Sequence, residues 1–324
     1  MKIVVLDGYT LNPGDMSWDA MGQLGELVVY DRTPADKVIE RIDNAEIILT
    51  NKVILTKEIL DKIPSVKYIG VMATGYNVVD TEYAKELGII VTNVPAYSTD
   101  SVTQMVFAFI LEFCHHVGEH TRVVHEGKWT KNIDFSFWDF PLIELKNKTL
   151  GIIGFGAIGQ KVAKIAETFG MKVLFHSRTI KPELETYLET YTVKSATLER
   201  VFAESDFITL HCPLTEQTRE LINKGTIAKM KNGAFLINTS RGPVINEQDV
   251  AHALNTGKLA GLGADVVSIE PIQADNPLLS AKNAVITPHF AWATEEARER
   301  LMNTLIMNID SFIKGTPVNV VNNQ

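Results

Sequence analysis

Apolar residues gather in short runs over the first hundred positions, at 2–6, 27–30, 47–49, 68–71 and 89–92. Between these runs, at 18–24, 35–42, 57–63 and 81–86, apolar residues return at helical spacing. Strands alternating with helices predict a parallel sheet covered on both faces. A second series begins near 149, with strands expected at 150–153, 172–175, 207–210, 234–238, 259–267 and 284–287. Helices are expected among them, including 157–169, 198–203, 223–230 and 246–256. The fold class that follows is α/β, with two doubly wound parallel-sheet domains. Two longer helical patterns flank the second series. The first, 100–116, is strongly apolar through Val102, Met105, Val106, Phe109, Ile110 and Phe113. The other, 294–312, carries Ala297, Leu301, Leu305, Ile309 and Phe312 on one face. They are expected to act as hinge elements around a cleft.

Composition changes this picture little but excludes several function classes. A chain of 324 residues suits two domains of about 150 residues each. Its 45% hydrophobic and 22% charged residues are ordinary globular values. A net charge of −8 leaves no basic footprint for nucleic acid. No apolar run reaches the ~18 residues of a membrane span, and the amino terminus reads as a strand rather than a signal peptide. Cys114 and Cys212 lack metal-ligand spacing and read as free thiols of a reducing compartment. Cytoplasmic location is the expectation, with no metal. Residues 117–147 fit neither period. They carry Trp129, Phe135, Phe137, Trp138 and Phe140, which suit either an interface or a satellite core. His115, His116, His120 and His125 lie there too, read as a solvated face rather than a metal site.

The first candidate chemistry is Gly154-x-Gly156-x-x-Gly159. It lies between a strand and a helix (Val162, Ile165, Ala166 and Phe169 on one face), with a second strand beyond Gly170. The first glycine permits a tight turn, the second lets backbone approach a pyrophosphate, and the third lets helix pack on strand. The helix then presents unpaired N–H groups to phosphate. A bland βα turn is the alternative, and the strand–turn–helix–strand context favours a dinucleotide.

Ligands of open parallel sheets bind beyond the carboxyl ends of the strands. The strand at 234–238 delivers Ser240, Arg241 and Gly242 there; that at 259–267 delivers Asp265 and then Glu270; that at 284–287 delivers His289. Arg241 offers a planar fork for a substrate carboxylate. Histidine exchanges a proton near neutrality, so His289 suits protonation of a carbonyl oxygen as hydride arrives, and Glu270 would stabilise the imidazolium. Asp265 is a candidate acceptor for a nicotinamide carboxamide. Singly, each is ordinary at a strand end; beside a dinucleotide site they point to dehydrogenation of a 2-hydroxy acid. In the first series, Met72-Ala73-Thr74-Gly75 follows a strand, and its small residues either expose N–H groups to a small anion or form an ordinary turn.

At this point the chain resembles the D-isomer-specific 2-hydroxyacid dehydrogenases, and the resemblance runs in order over nearly all residues. It rests on Gly154–Gly159, His211-Cys-Pro-Leu-Thr215, Asn238-Thr-Ser-Arg-Gly-Pro243, Asp265 with Glu270-Pro271, and Thr287-Pro-His289. The resemblance implies Arg241, Glu270 and His289 as the catalytic set. For the cofactor it implies Gly154, Gly156, Ala157, Ile158, Gly159, Ser177, Arg178, Thr179, His211, Cys212, Pro213, Thr218, Thr239, Ser240 and Asp265. For the substrate it implies Met72, Ala73, Thr74, Gly75, Arg241, His289 and Trp292. It also implies a dinucleotide-binding domain at 101–291 inserted in a flavodoxin-like substrate domain at 1–100 plus 292–324, and a homodimer. In some related reductases a tryptophan before the fingerprint reaches the partner's active site, and Trp138 lies near that place. Phe290-Ala-Trp292-Ala replaces the common Gly-Gly after His289, which resembles the glycerate dehydrogenase/hydroxypyruvate reductase branch. Glu270 speaks against the formate dehydrogenase branch, which has Gln there. Gln104 stands where many relatives carry Glu.

The expected reaction is hydride transfer between NAD(P)H and hydroxypyruvate/D-glycerate or glyoxylate/glycolate. A D-lactate-type enzyme is one alternative. A dinucleotide-sensing corepressor is the other, and it would call for tails that this chain lacks. NAD enzymes place a carboxylate at the end of the second strand to bind the ribose 2′-hydroxyl. Here the strand runs into His176-Ser177-Arg178-Thr179, so NADP(H) is expected ahead of NAD(H).

Overall fold

The computed structural model describes residues 1–178 and 193–323. The chain divides into two compact units, Met1–Ser98 with Ala293–Gln324, and Thr99–Trp292.

In the first unit a five-stranded parallel sheet has the order β2-β1-β3-β4-β5. Its strands are β1 (Lys2–Val5), β2 (Glu26–Val29), β3 (Ile47–Thr50), β4 (Tyr68–Val71) and β5 (Ile90–Thr92). This is the flavodoxin-like order. The runs are continuous rather than alternating because helices cover both faces: every residue of β3 and β4 is buried. The expected helices at 18–24 and 57–63 contract to Asp19–Gly22 and Lys57–Leu60. The carboxyl-terminal tail closes the sheet's edge. Val321 N donates to Val91 O at 2.9 Å, and the Asn322 amide bonds Val91 N and Ile89 O at 3.0 and 2.7 Å.

The second unit holds a seven-stranded parallel sheet, β12-β11-β10-β9-β6-β7-β8. The strands are β6 (Thr149–Ile153), β7 (Lys172–His176), β8 (Val193–Ser195), β9 (Phe207–Leu210), β10 (Ala234–Asn238), β11 (Leu259–Ala264) and β12 (Ala284–Ile286). Counted from β6 this is the dinucleotide-binding order 3-2-1-4-5-6 with a seventh strand added, and its reversal point lies between β6 and β9. β11 ends at Ala264 rather than running to 267, because Asp265 begins a loop. Short polar side chains start the helices. Thr197 accepts from Arg200 N, Asn246 from Asp249 N, and Asn223 forms a reciprocal capping box with Thr226. The apolar helix Thr99–His115 is buried against this sheet: Cβ atoms added to Gly263 and Gly261 would lie 2.6 Å from Phe109 and 2.8 Å from Phe113.

Candidate active site

The turn after β6 is built by its glycines. Gly154 has φ +97°, a left-handed conformation that side chains rarely adopt. A Cβ there would also lie 2.5 Å from the His211 carbonyl carbon. Its N–H donates to His176 O at 2.9 Å, drawing the end of β7 beside the turn. Gly159 packs so close that a Cβ would lie 2.4 Å from Gly154 O. Gly156 differs: a Cβ there would meet no atom within 4 Å. It has no side chain to cap the helix Ala157–Thr168, whose first turn carries no acidic residue. Open space, an uncapped helix start and no repelling carboxylate fit a dinucleotide pyrophosphate.

Two neighbouring segments complete this rim. Burial and a 3.0 Å contact with the Thr209 hydroxyl surround the His211 ring, and burial pushes its pKa down to about 3, so it stays neutral. Thr218 Oγ donates to Pro213 O at 2.6 Å and accepts from Thr215 N at 2.7 Å, spending its hydroxyl on folding the loop. Cys212 is buried, which raises its thiol pKa. The Thr239 hydroxyl is buried with no hydrogen-bond partner among the described residues, an orphan beside the fingerprint's sheet. At the end of β7, Ser177 is half-buried and Arg178 exposed, and Thr179 lies outside the described residues.

The ends of β10, β11 and β12, neighbours in the sheet, carry the candidate reactive groups. Asn238, fully buried, organises the first of these loops. Its amide donates to Arg241 O at 2.9 Å and accepts from Ser240 N and Ser240 Oγ at 3.1 and 2.9 Å. Arg241 is exposed beyond it. Gly242 follows, and a Cβ there would lie 1.9 Å from the Val267 carbonyl carbon. Glycine therefore lets the Arg241 loop abut the loop that carries Glu270.

Asp265, 2% exposed, holds the third loop. Its carboxylate accepts from Thr287 Oγ at 2.6 Å, Phe290 N at 3.0 Å and Ala291 N at 2.9 Å. Burial raises its pKa, and these bonds oppose that shift. Between Thr287 and Phe290, His289 adopts φ +53°, an uncommon conformation for a residue with a side chain. This turn brings His289 Nδ1 to 2.6 Å from Glu270 Oε2. The indole N–H of Trp292 donates to His289 O at 2.9 Å. With Nδ1 engaged by the carboxylate, Nε2 is the ring nitrogen available for proton exchange with a ligand.

In the first unit, Met72-Ala73-Thr74-Gly75 follows β4. Ala73 O accepts from Val94 N at 3.0 Å, Thr74 Oγ donates to Val94 O at 2.8 Å, and Asn93 donates to Thr74 O at 2.7 Å. Met72 is buried at 1% exposure, while Thr74 is exposed.

Asn238 and Gly242, named in the sequence as members of the Asn238–Pro243 motif, organise the Arg241 loop. Among the described residues, no group of three or more metal-ligating side chains is assembled. His120 bonds the carbonyls of His115 and His116 at 3.0 and 2.9 Å, and the amide of Asp139 at 3.2 Å.

Comparison with known proteins identifies the family. The family described as D-isomer specific 2-hydroxyacid dehydrogenase, NAD binding domain, matches residues 107–291. A hydroxypyruvate reductase of Blautia hydrogenotrophica is 54% identical, over 99% of this chain and 100% of that one. A glycerate dehydrogenase of Methylorubrum extorquens is 36% identical, over 99% of this chain and 98% of that one. Among solved structures, an acyclic imino acid reductase in complex with NADPH and D-Arg superposes with a TM-score of 0.85 at 31% identity, covering 99% of this chain and 100% of that one. With the glycine turn, the paired His289 and Glu270 and the Arg241 loop on one rim, the chain belongs to the D-isomer-specific 2-hydroxyacid dehydrogenases, on the glycerate dehydrogenase/hydroxypyruvate reductase branch, and is an oxidoreductase that exchanges hydride between a nicotinamide cofactor and a small 2-keto or 2-hydroxy acid.

Proposed function

We propose that the chain reduces hydroxypyruvate to D-glycerate, and glyoxylate to glycolate, with NADPH as the preferred reductant. The observation that carries the proton chemistry is the 2.6 Å pair between His289 Nδ1 and Glu270. When bound, the reduced nicotinamide would supply the hydride for C2 of the keto acid. His289, protonated, gives the proton on Nε2 to the carbonyl oxygen, which becomes the hydroxyl. Glu270 keeps the ring oriented and stabilises its charge before the transfer. Arg241 binds the substrate carboxylate through two guanidinium N–H groups. In the first unit, the Met72–Gly75 loop, with Met72, Ala73, Thr74 and Gly75, is a candidate binder of a small acid. The dinucleotide would be held by Gly154, Gly156, Ala157, Ile158 and Gly159 at its pyrophosphate and by the His211–Pro213 segment, Thr239, Ser240 and Asp265 around the rest.

Cofactor choice rests on the end of β7. His176-Ser177-Arg178 offers a hydroxyl and a guanidinium and no carboxylate there. A 2′-phosphate is then met by hydrogen bonds instead of repulsion. The expected assembly is a homodimer that uses residues 117–147, where Ile133, Phe135 and Trp138 are 97%, 90% and 65% exposed.

Steady-state kinetics with hydroxypyruvate, glyoxylate and pyruvate, each against NADPH and NADH, test this reading. Hydroxypyruvate with NADPH should have the highest kcat/KM. Ser177→Asp should lower kcat/KM for NADPH by about tenfold or more, through about 1.4 kcal/mol of charge repulsion. A wild type that prefers NADH tenfold would reject the cofactor assignment.

A further inference from the structure

Ile272 packs against the core, but the part of the loop that carries Glu270 is open to solvent. Ser268, Ile269, Glu270 and Pro271 are all exposed, and Ile269 keeps 61% of its surface in solvent. Exposed backbone of this kind is positioned by hydrogen bonds or not at all. One carboxylate outside the reactive set grips the loop on both sides. Glu247 Oε1 accepts from Ser268 N at 2.7 Å, and its Oε2 accepts from the Asn276 side-chain amide at 3.0 Å. Asn276 in turn accepts from Leu278 N at 3.0 Å, which ties the loop's far end to the short helix Pro277–Ser280. Glu247 itself is set on a firm base. It opens the helix Glu247–Thr256, where Asn246 caps the helix and a negative charge is favoured by the helix dipole. Three residues after Ser268 N comes Pro271, so Glu270 lies inside the stapled span.

We propose that Glu247 is a positioning residue for the reaction. It bridges Ser268 and Asn276 and so fixes Glu270 at hydrogen-bond distance from His289. These two charge-assisted bonds act beside one from Val267 N to Glu270 Oε1 at 3.3 Å, which holds the carboxylate from within the loop. The close approach of Gly242 to Val267 and Ser268 supplies the other wall. The titratable groups set against His289 are Glu270, by direct contact, and Asp265, at the end of β11. Glu247 acts on the pair only through the loop, so its removal should loosen Glu270 from the ring without touching substrate or cofactor. This inference rests on the reading of His289 and Glu270 as the proton-donating pair.

The test is the pH profile of keto-acid reduction in Glu247→Ala, Glu247→Gln and Asn276→Ala, with Glu270→Gln alongside. Glu247→Ala should lower kcat about tenfold with KM for the reduced cofactor unchanged, a fraction of the factor that general acid catalysis supplies. The alkaline limb of its kcat/KM profile should move to lower pH, because the ring loses part of its stabilising carboxylate. Glu247→Gln keeps one acceptor oxygen and should fall between Ala and wild type. Asn276→Ala removes one of the two bonds, leaves the helix start intact, and should move the limb the same way by less. An alkaline limb that does not move in Glu247→Ala or Asn276→Ala, while it moves in Glu270→Gln, overturns the positioning role. A lower kcat without a shifted limb also overturns it, since general loss of stability would do that. If Glu270→Gln itself leaves the limb in place, the proton-donor reading fails, and this inference with it.

Discussion

His211 holds an imidazole that burial keeps neutral, with its pKa pushed down to about 3. In the unfolded chain the same ring titrates near ~6.5. Between those values the unfolded state binds the extra proton, so stability is complete above the unfolded value and falls as pH drops toward the folded one. From pH 7 to 5 this one ring should remove about 1–2 kcal/mol of folding stability. Urea unfolding of wild type and His211→Gln at the two pH values isolates it. The variant should lose less on acidification by about that amount, and equal losses would mean that other groups carry the effect. At this scale the candidate site was legible in sequence as residue types at strand ends: Arg241, Glu270, His289 and the three glycines. The residues that hold them were less so. Asn238 belongs to a motif that was recognised, yet its three bonds to Ser240 and Arg241 exist only once the loop folds back over it. Glu247 looks like any acidic residue in a first helical turn, and its bond to Ser268 spans 21 positions.

Loops between elements carry the chemistry, and Gly242 shows how tightly they meet. A methyl group there would sit 1.9 Å from the Val267 carbonyl carbon, so Gly242→Ala must push two loops apart. The expected result is a cost of about 1–3 kcal/mol in stability, as for other overpacked sites. A fall in kcat/KM of at least about tenfold should accompany it, because Arg241 and Glu270 lie on the two displaced loops. Thermal unfolding and steady-state rates check both, and a stable variant with wild-type turnover would show that the loops need not touch. Element identity was legible where a parallel strand is buried on both faces and reads as an apolar run, as β3, β4 and β9 do. Element ends were less legible. The expected strand at 259–267 stops at Ala264 although Val266 and Val267 are apolar and buried, because Asp265 turns inward to bind three donors. β8 escaped notice because three residues with one buried side chain show no period.

The whole chain crosses from its first unit to its second and back, so its last residues have to complete a sheet begun at its first. The helix Glu295–Ile313 buries Leu301, Leu305 and Ile309, and amides on the helix and the tail complete the join. Buried Asn308 donates to Asn93 O at 3.0 Å and accepts from Asn319 at 2.8 Å, and Asn322 bonds β5 on both sides. Asn322→Ala strips two bonds from a buried site and leaves Val91 N and Ile89 O without those partners, a loss of about 1–3 kcal/mol each where water does not replace them. The damage should stay in the first unit. On the proposed reading, saturating NADPH should bind the second unit and stabilise it by mass action, by about 2.7 kcal/mol at a hundredfold excess over Kd. Calorimetry of wild type and Asn322→Ala with and without NADPH should therefore show an early transition that the substitution lowers and the cofactor leaves nearly unchanged. A later transition should respond to NADPH alike in both proteins. If a single transition moves with both perturbations, the two units unfold as one, and the tail's amides stabilise the cofactor unit as much as the sheet they close.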